Sequence, residues 1–407
     1  MPNLIVVGGG ITGVTSAYAL SRRGHLVTVV ETRRYPAMET SYANGGQLSA
    51  SNAEVWNNWA TILKGLKWML RADAPLLLNP TPSLHKYTWI AEFIAQIANY
   101  RANTIETTRL AIAAREHLLA MAQAEGVDFD YRQNGLLHLY HDKHSFEIAG
   151  QANTLLREGG LDRYAVTPQE IAKIEPTAHG QFHGGFYTPS DASGDIHKFT
   201  RGLVDACVRR GVRFLYDTAV DRIEATASNV QLQIRTQGAR VGVMQADGVV
   251  LCAGVASRKF AASLGDRINI YPVKGYSITI GLNDDESRAA APNVCLLDEA
   301  AKIVTSRLGP DRFRIAGTAE FNGFNKDIRA DRIQPLVDWS QKLFPGVATN
   351  AVVPWAGLRP MTPTMLPKVG SGRRPRVFYN TGHGHLGWTL SGATSQILAD
   401  HIDRALA

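Results

Sequence analysis

Three groups of residues have types and spacings that could do chemistry. The first is Gly8-Gly9-Gly10-Ile11-Thr12-Gly13, a G-x-G-x-x-G run. In such a run Gly8 permits a tight turn, Gly10 lets the backbone approach a pyrophosphate, and Gly13 lets helix and strand pack closely. The following helix offers its first amides to the phosphates. Glu31 lies at about the 20-residue distance from which a carboxylate accepts ribose hydroxyls. Thr32 and Arg33 follow it at the adenosine end, although a solvated basic loop reads equally well there. The second group runs from Glu39 to Gln47. Its Ser41, Asn44, Gly45, Gly46 and Gln47 could wrap a large ligand or simply make turns. The third group is C-terminal. Gly357-Leu358-Arg359-Pro360 is followed by Gly382-His383-Gly384-His385-Leu386-Gly387-Trp388-Thr389. Arg359 has the planar fork that holds a carboxylate by two hydrogen bonds, or a place in a structural ion pair. The glycine-rich loop enters the last helix, where negative charge on a ligand is stabilised. His383 and His385 are tempting bases, but shaping this loop suits them better.

These groups need particular elements to bring them together. Leu4 to Val7 reads as a buried strand, the next residues to Arg23 as a helix, and Leu26 to Val30 as a second strand, giving a βαβ unit. Residues 55–71 read as a helix with Trp56, Trp59, Leu63 and Leu66 at helical spacing and Lys64, Lys67 and Arg71 among them. That helix could pack in a core, line a channel or lie on a membrane surface. Residues 84–123 read as long helices and Leu136 to Tyr140 as a strand after the Asn134-Gly135 turn. Strands are also expected at Val212 to Tyr216, Val220 to Ile223, Val230 to Arg235, Gly248 to Ala253, Tyr276 to Ile280 and Arg312 to Ala316, with a final helix over 391–405.

The pattern predicts an α/β protein with a discontinuous Rossmann-like dinucleotide-binding domain (1–54, 145–265 and 341–407). An α+β substrate domain (55–144 and 266–340) would contain an antiparallel sheet. Hydrophobic residues at 45% and charged residues at 19% give an ordinary globular balance and exclude a disordered chain. The formal charge of +7 is spread along the chain without a basic block, so nucleic acid is not the expected partner. Cys207, Cys252 and Cys295 are far apart, with neither metal nor CxxC spacing. No Lys or Arg precedes the first apolar run, which glycines interrupt, so it does not read as a signal peptide. No uncharged stretch reaches the ~20 residues of a membrane span. The odd count and wide spacing of the cysteines suit a reducing cytoplasm, where the protein is expected.

Read together with Lys64-Gly65-Leu66-Lys67-Trp68-Met69 and Pro272-Val273-Lys274-Gly275-Tyr276-Ser277, the three groups carry a resemblance along essentially the whole chain. It resembles the D-amino-acid oxidase/dehydrogenase superfamily of flavoproteins, most of all bacterial D-amino-acid dehydrogenases of the small-subunit type. The resemblance implies FAD, held noncovalently because no cysteine lies near the C-terminal motifs. It implies a backbone contact from Val220 and a second cofactor segment at Ala253 and Gly254. It implies Arg359 as the substrate-carboxylate clamp and Tyr276 as a substrate-site residue. It further implies oxidative deamination of D-amino acids to 2-oxo acids and ammonia by hydride transfer to flavin N5. A quinone or respiratory chain would take the electrons, with peripheral contact to the inner membrane through 55–71. The chain ends at Ala407, without the C-terminal extension associated with such relatives. A D-hydroxyproline or D-proline dehydrogenase, or a glycine, sarcosine or D-amino-acid oxidase using oxygen, therefore remains open.

Overall fold

The computed structural model describes residues 1–68, 75–236 and 239–406. Two large sheets dominate it. In the first, Val377–Thr381, Gly248–Leu251, Asn3–Val7, Leu26–Val30 and Arg213–Leu215 run parallel in that order, with Lys368–Ser371 antiparallel at one edge. Runs such as Gly248–Leu251 are buried throughout because a parallel sheet is covered on both faces. One face carries the helices Ile11–Arg22, Ile196–Arg209 and Gly387–Leu406, which share a core with Leu4, Val6 and Val29. The other face, with Ile5, Val7 and Val249, packs on the meander Thr218–Ala225, Val230–Thr236 and Ala239–Ala246. The predicted βαβ opening is present as read.

The second sheet has nine strands. Val352–Met361, Tyr271–Gly281, Arg312–Phe321, Ile303–Leu308, Cys295–Asp298, Leu136–Tyr140, Gly184–Thr188 and Tyr164–Val166 follow one another, and Leu76–Leu78 pairs beside Arg312–Phe321. Ile278, Leu296 and Phe313 on one face meet Leu336 and Trp339 of the helix Ala330–Leu343.

This topology corrects the expected boundaries. Tyr164–Val166, Gly184–Thr188 and Val352–Met361 fell in the cofactor half by sequence, yet they hydrogen-bond into the nine-stranded sheet. The helix Tyr100–Glu125, assigned to the substrate half, packs on the last helix so closely that a Cβ at Gly392 would overlap the Ala114 carbonyl. Hydrophobic alternation marks strands but does not say which sheet they join.

The helix expected over 55–71 begins later, at Trp59. Asn58 caps it, its Oδ1 accepting from the Thr61 N–H at 2.8 Å. The preceding residues are held by tertiary contacts: Val55 is 1% exposed, and the Asn57 amide donates to the carbonyls of Phe93 (2.9 Å) and Pro363 (3.0 Å). Of the expected helix, Met69, Leu70 and Arg71 and the side chains of Leu66, Lys67 and Trp68 lie outside the described residues. The last helix starts at Gly387 rather than 391, directly after a 3-10 turn over Gly384–Leu386.

Candidate active site

A single continuous cavity of about 1810 Å³ runs from the glycine fingerprint to the nine-stranded sheet. Every residue predicted to touch the cofactor borders it except Gly13, Arg33 and Gly46.

At the fingerprint end, Gly8 has φ +111°, and a Cβ there would sit 2.6 Å from the Cys252 carbonyl oxygen. Only glycine fits such a turn. At Gly13 a Cβ would overlap the Gly8 carbonyl, so this residue serves helix–strand packing and faces away from the cavity. Gly10 differs: a Cβ there would meet only the Ser41 hydroxyl, at 3.5 Å, so its backbone is open to the cavity. The Ser41 Oγ accepts from the Ile11 N–H at 3.0 Å. The Glu31 carboxylate is 8% exposed at the cavity edge, accepting from the amides of Gly9 (2.6 Å) and Arg33 (2.8 Å).

Arg33 takes a different place from the one expected. Its guanidinium pairs with Glu39, whose other oxygen pairs with Lys326 of the second lobe. Glu39 is thus a latch between lobes, and those cations hold its carboxyl below the usual range despite burial. Asn44 makes a turn, its Oδ1 accepting from the Gly46 N–H at 2.9 Å. Gly45 and Gly46 lie against Val304, Ser306 and Leu308 of the second sheet, which leaves no room for side chains. Gln47 borders the cavity, yet its amide is committed to the carbonyls of Leu296 and Thr305, both at 3.0 Å. The loop read as a ligand wrap is also the seam between the sheets.

At the other end stands Arg359. Its Nη1 donates to the Thr318 carbonyl at 2.9 Å, and no carboxylate pairs with it among the described residues. Burial alone pulls the guanidinium down to about 10, so it stays charged at neutral pH. Thr318 reaches it from a backbone at φ +63°, beside a register shift where Tyr271–Gly281 meets Arg312–Phe321. A Cβ on Gly275 would overlap the guanidinium, which therefore lies flat over that glycine.

Tyr276 is not beside the clamp. Alternation along the strand sends its ring to the face opposite Gly275 and Arg359. There it is 1% exposed, and its hydroxyl donates to Glu320 at 2.7 Å. Lys274, fully buried on the same face, pairs with Glu320 at 3.2 Å and donates to Asn325 at 2.8 Å. Burial and the Glu320 hydrogen bond push the phenol pKa well up. Tyr276 belongs to a buried polar network under the sheet and is also among the residues that border the cavity.

The two histidines of the C-terminal loop are neutral. His383 Nε2 meets the Thr394 hydroxyl at 3.0 Å, and burial depresses its pKa to about 3. His385 Nε2 meets the Asn52 carbonyl at 3.2 Å, so that nitrogen carries the proton. Its ring stacks on Trp56, centroids 4.7 Å apart. Burial, with Arg359 adding, lowers it to about 4. Two residues escaped the sequence reading. Thr318 carries no sequence mark of a left-handed backbone, and Glu54 lies outside the three groups singled out by type and spacing.

These residues suit a flavin dinucleotide. The open backbone at Gly10, the helix-start amides and the buried Glu31 carboxylate match a pyrophosphate and a ribose. The cavity exceeds the ~1,000 Å³ of an ordinary small-molecule pocket, leaving room for a long cofactor and a small substrate. Fold and cavity define a dinucleotide-binding protein whose second sheet also borders the cavity. The family model described as FAD dependent oxidoreductase (DAO) matches residues 3–401, and the chain belongs to that family. It is 63% identical to D-amino acid dehydrogenase 3 of Mesorhizobium japonicum, over 98% of this chain and 96% of that protein. It is 39% identical to D-amino acid dehydrogenase of Paramagnetospirillum magneticum, over 98% and 94%. Among solved structures it resembles glycine oxidase from Geobacillus kaustophilus (TM-score 0.75, 21% identity, 99% and 95% covered). It also resembles L-proline dehydrogenase from P. horikoshii (TM-score 0.76, 17% identity, 99% and 93% covered). At these identities the two structures speak for the fold alone.

Proposed function

We propose that this chain oxidises free D-amino acids at Cα to 2-oxo acids and ammonia, and hands the electrons to a quinone or another respiratory acceptor. The observation that carries this is Arg359: a guanidinium without a counter-ion among the described residues, opening into the same cavity as the dinucleotide fingerprint. A carboxylate of the substrate supplies the missing partner through two charge-assisted hydrogen bonds. The 63% identity to a protein named D-amino acid dehydrogenase supports the same substrate class.

Bound FAD supplies an acceptor for the two electrons of the Cα hydride. The protein's own part is positioning. Arg359, fixed by Thr318 and Gly275, sets the acid group and with it the direction of the Cα–H bond. Loss of that hydride and one amine proton leaves an imine. Water then adds to the imine carbon, and ammonia leaves. Neutral His383 and His385 keep additional positive charge from the loop, which favours a neutral amine with its lone pair available. A noncovalent cofactor agrees with the thiols. Of the three, Cys252 alone borders the cavity, and burial pushes it up to about 12.

The helix Trp59–Trp68 supports peripheral membrane contact. Trp59 and Leu63 are 60% and 56% exposed, and Leu63 also borders the cavity. Among the described residues no helix is long and apolar enough to cross a membrane.

The deciding experiment is anaerobic reduction of the bound flavin by paired D and L amino acids. Bleaching by D enantiomers alone is expected. Bleaching by neither, or by L forms, refutes the reading. Peroxide formed at the full rate of turnover would move the acceptor to oxygen.

A further inference from the structure

Most charged side chains that border the cavity are already satisfied. Lys302 pairs with Glu299, Lys326 with Glu39 and Arg101 with Glu158. Glu31 and Asp142 accept backbone amides. Glu54 is an exception. Its Oε1 accepts from the Tyr100 hydroxyl at 2.6 Å and the Asn58 amide at 3.5 Å. No cation pairs with it among the described residues. Burial raises its pKa, Glu299 adding to the effect, while the Tyr100 hydrogen bond, Lys302 and Arg163 oppose it. A carboxylate of this kind, left in a cavity wall without a counter-ion, is costly unless a ligand completes it.

Arg359 is its opposite in sign. No ion pair joins Arg359 to Glu54 among the described residues; the guanidinium's contact is with the Thr318 carbonyl. His385, within reach of the Arg359 charge, bonds Asn52 and stacks on Trp56, which lie two residues to either side of Glu54, and Glu54, His385 and Arg359 border the same cavity. The α-amine of a clamped amino acid is separated from its carboxylate by one carbon. The amine therefore stays near Arg359, and the side chain is the part of the substrate long enough to extend along the cavity toward Glu54.

We propose that Glu54, flanked by Trp56 and Tyr100, is the side-chain subsite and selects D-amino acids whose side chain ends in a cation. This rests on the Arg359 reading above. The methylenes of such a side chain lie along the aromatic rings, its charged head meets the carboxylate, and the rings add a cation–π attraction.

The test uses the FAD-loaded protein and two ligands that cannot be oxidised at Cα, hexanoate and its ω-amino derivative. Calorimetry gives both dissociation constants for wild type, Glu54→Gln and Arg359→Leu, with flavin content and melting temperature checking each fold. Wild type should bind the ω-amino acid about tenfold more tightly than hexanoate, and Glu54→Gln should bring the two within about twofold. Glu54→Asp should keep part of the preference. Equal binding of both ligands by wild type, with both weakened in Arg359→Leu, overturns the subsite and spares the clamp. A preference that survives Glu54→Gln also overturns it. Binding of both ligands that ignores Arg359→Leu overturns clamp and subsite together.

Discussion

The guanidinium of Arg359 lies flat over the backbone of Gly275, in the space a Cβ would fill. Val273 is directly opposite Arg359 in the register, and Gly275 is the next residue on that face. The pair acts as a unit: one residue supplies the charge and the other the floor. Gly275→Ala should lift the guanidinium away from Thr318 and weaken carboxylate binding with little loss of FAD. Arg359→Leu should weaken it more, by about 3 kcal/mol or roughly a hundredfold, the scale of charge-assisted hydrogen bonds. Titration of each variant with a non-oxidisable carboxylate, followed by flavin absorbance, measures both. Wild-type affinity in either variant refutes the arrangement.

Tyr276 separates a site role from a core role. If its hydroxyl serves only Glu320, Tyr276→Phe costs about 1 kcal/mol of stability and leaves substrate affinity nearly unchanged. Glu320→Gln leaves the Lys274 ammonium buried without its anion and should cost about 3–5 kcal/mol. Thermal melts rank the two. A large rise in KM for Tyr276→Phe with an unchanged melting temperature would return the residue to the substrate site.

Glu31 holds two amides as well as facing the cavity. Glu31→Ala should orphan both and remove the ribose acceptor, so the protein purifies with less FAD. About 1–3 kcal/mol is the expected loss in cofactor affinity. The ratio of flavin to protein absorbance, followed by FAD titration of the apo form, reports it. Full occupancy with unchanged affinity excludes the role.

Burial holds His383 at about 3 and His138 at about 4. In the unfolded chain each titrates near 6.5. Above that pH both states are neutral and pH has no effect through them. As pH falls from about 6.5, only the unfolded chain gains protons, so stability drops by about 1.4 kcal/mol per unit for each group. The loss ends near the folded values. The melting temperature should therefore fall between pH 6.5 and 4, and less steeply in His383→Asn. A flat profile over that range contradicts the buried neutral imidazoles.

The exposed face of the helix Trp59–Trp68 makes a separate prediction. Replacing both Trp59 and Leu63 with glutamate should reduce sedimentation with vesicles of anionic lipid and slow reduction of a membrane quinone. Turnover with a water-soluble dye should be much less affected. Unaltered vesicle binding removes the helix from the membrane contact.

Much of the nucleotide end was legible because its signals are local. Gly8 makes the tight turn and Gly13 the close helix–strand packing that their spacing predicts, and the Gly10 backbone is open to the cavity, since these features are decided within one βαβ unit. Strands such as Asn3–Val7 and Leu136–Tyr140 could be read from apolar runs and turn residues. The start of the second helix could not, because side-chain contacts of Val55 and Asn57 with distant segments outweigh its helical periodicity.

By itself the sequence determined the βαβ fingerprint, the acid that follows it, the Gly357-Leu358-Arg359-Pro360 run with its candidate clamp, and the family resemblance. Tertiary structure alone decided which sheet Val352–Met361 joins, and therefore that Arg359 meets Gly275 and Thr318. It also decided that Tyr276 turns away and that Glu54 meets the Tyr100 hydroxyl but, among the described residues, no cation. The reason is physical. Turns and helix starts follow from the covalent chain nearby, whereas a side chain's face, its burial and its counter-ion are set by residues tens of positions away or more.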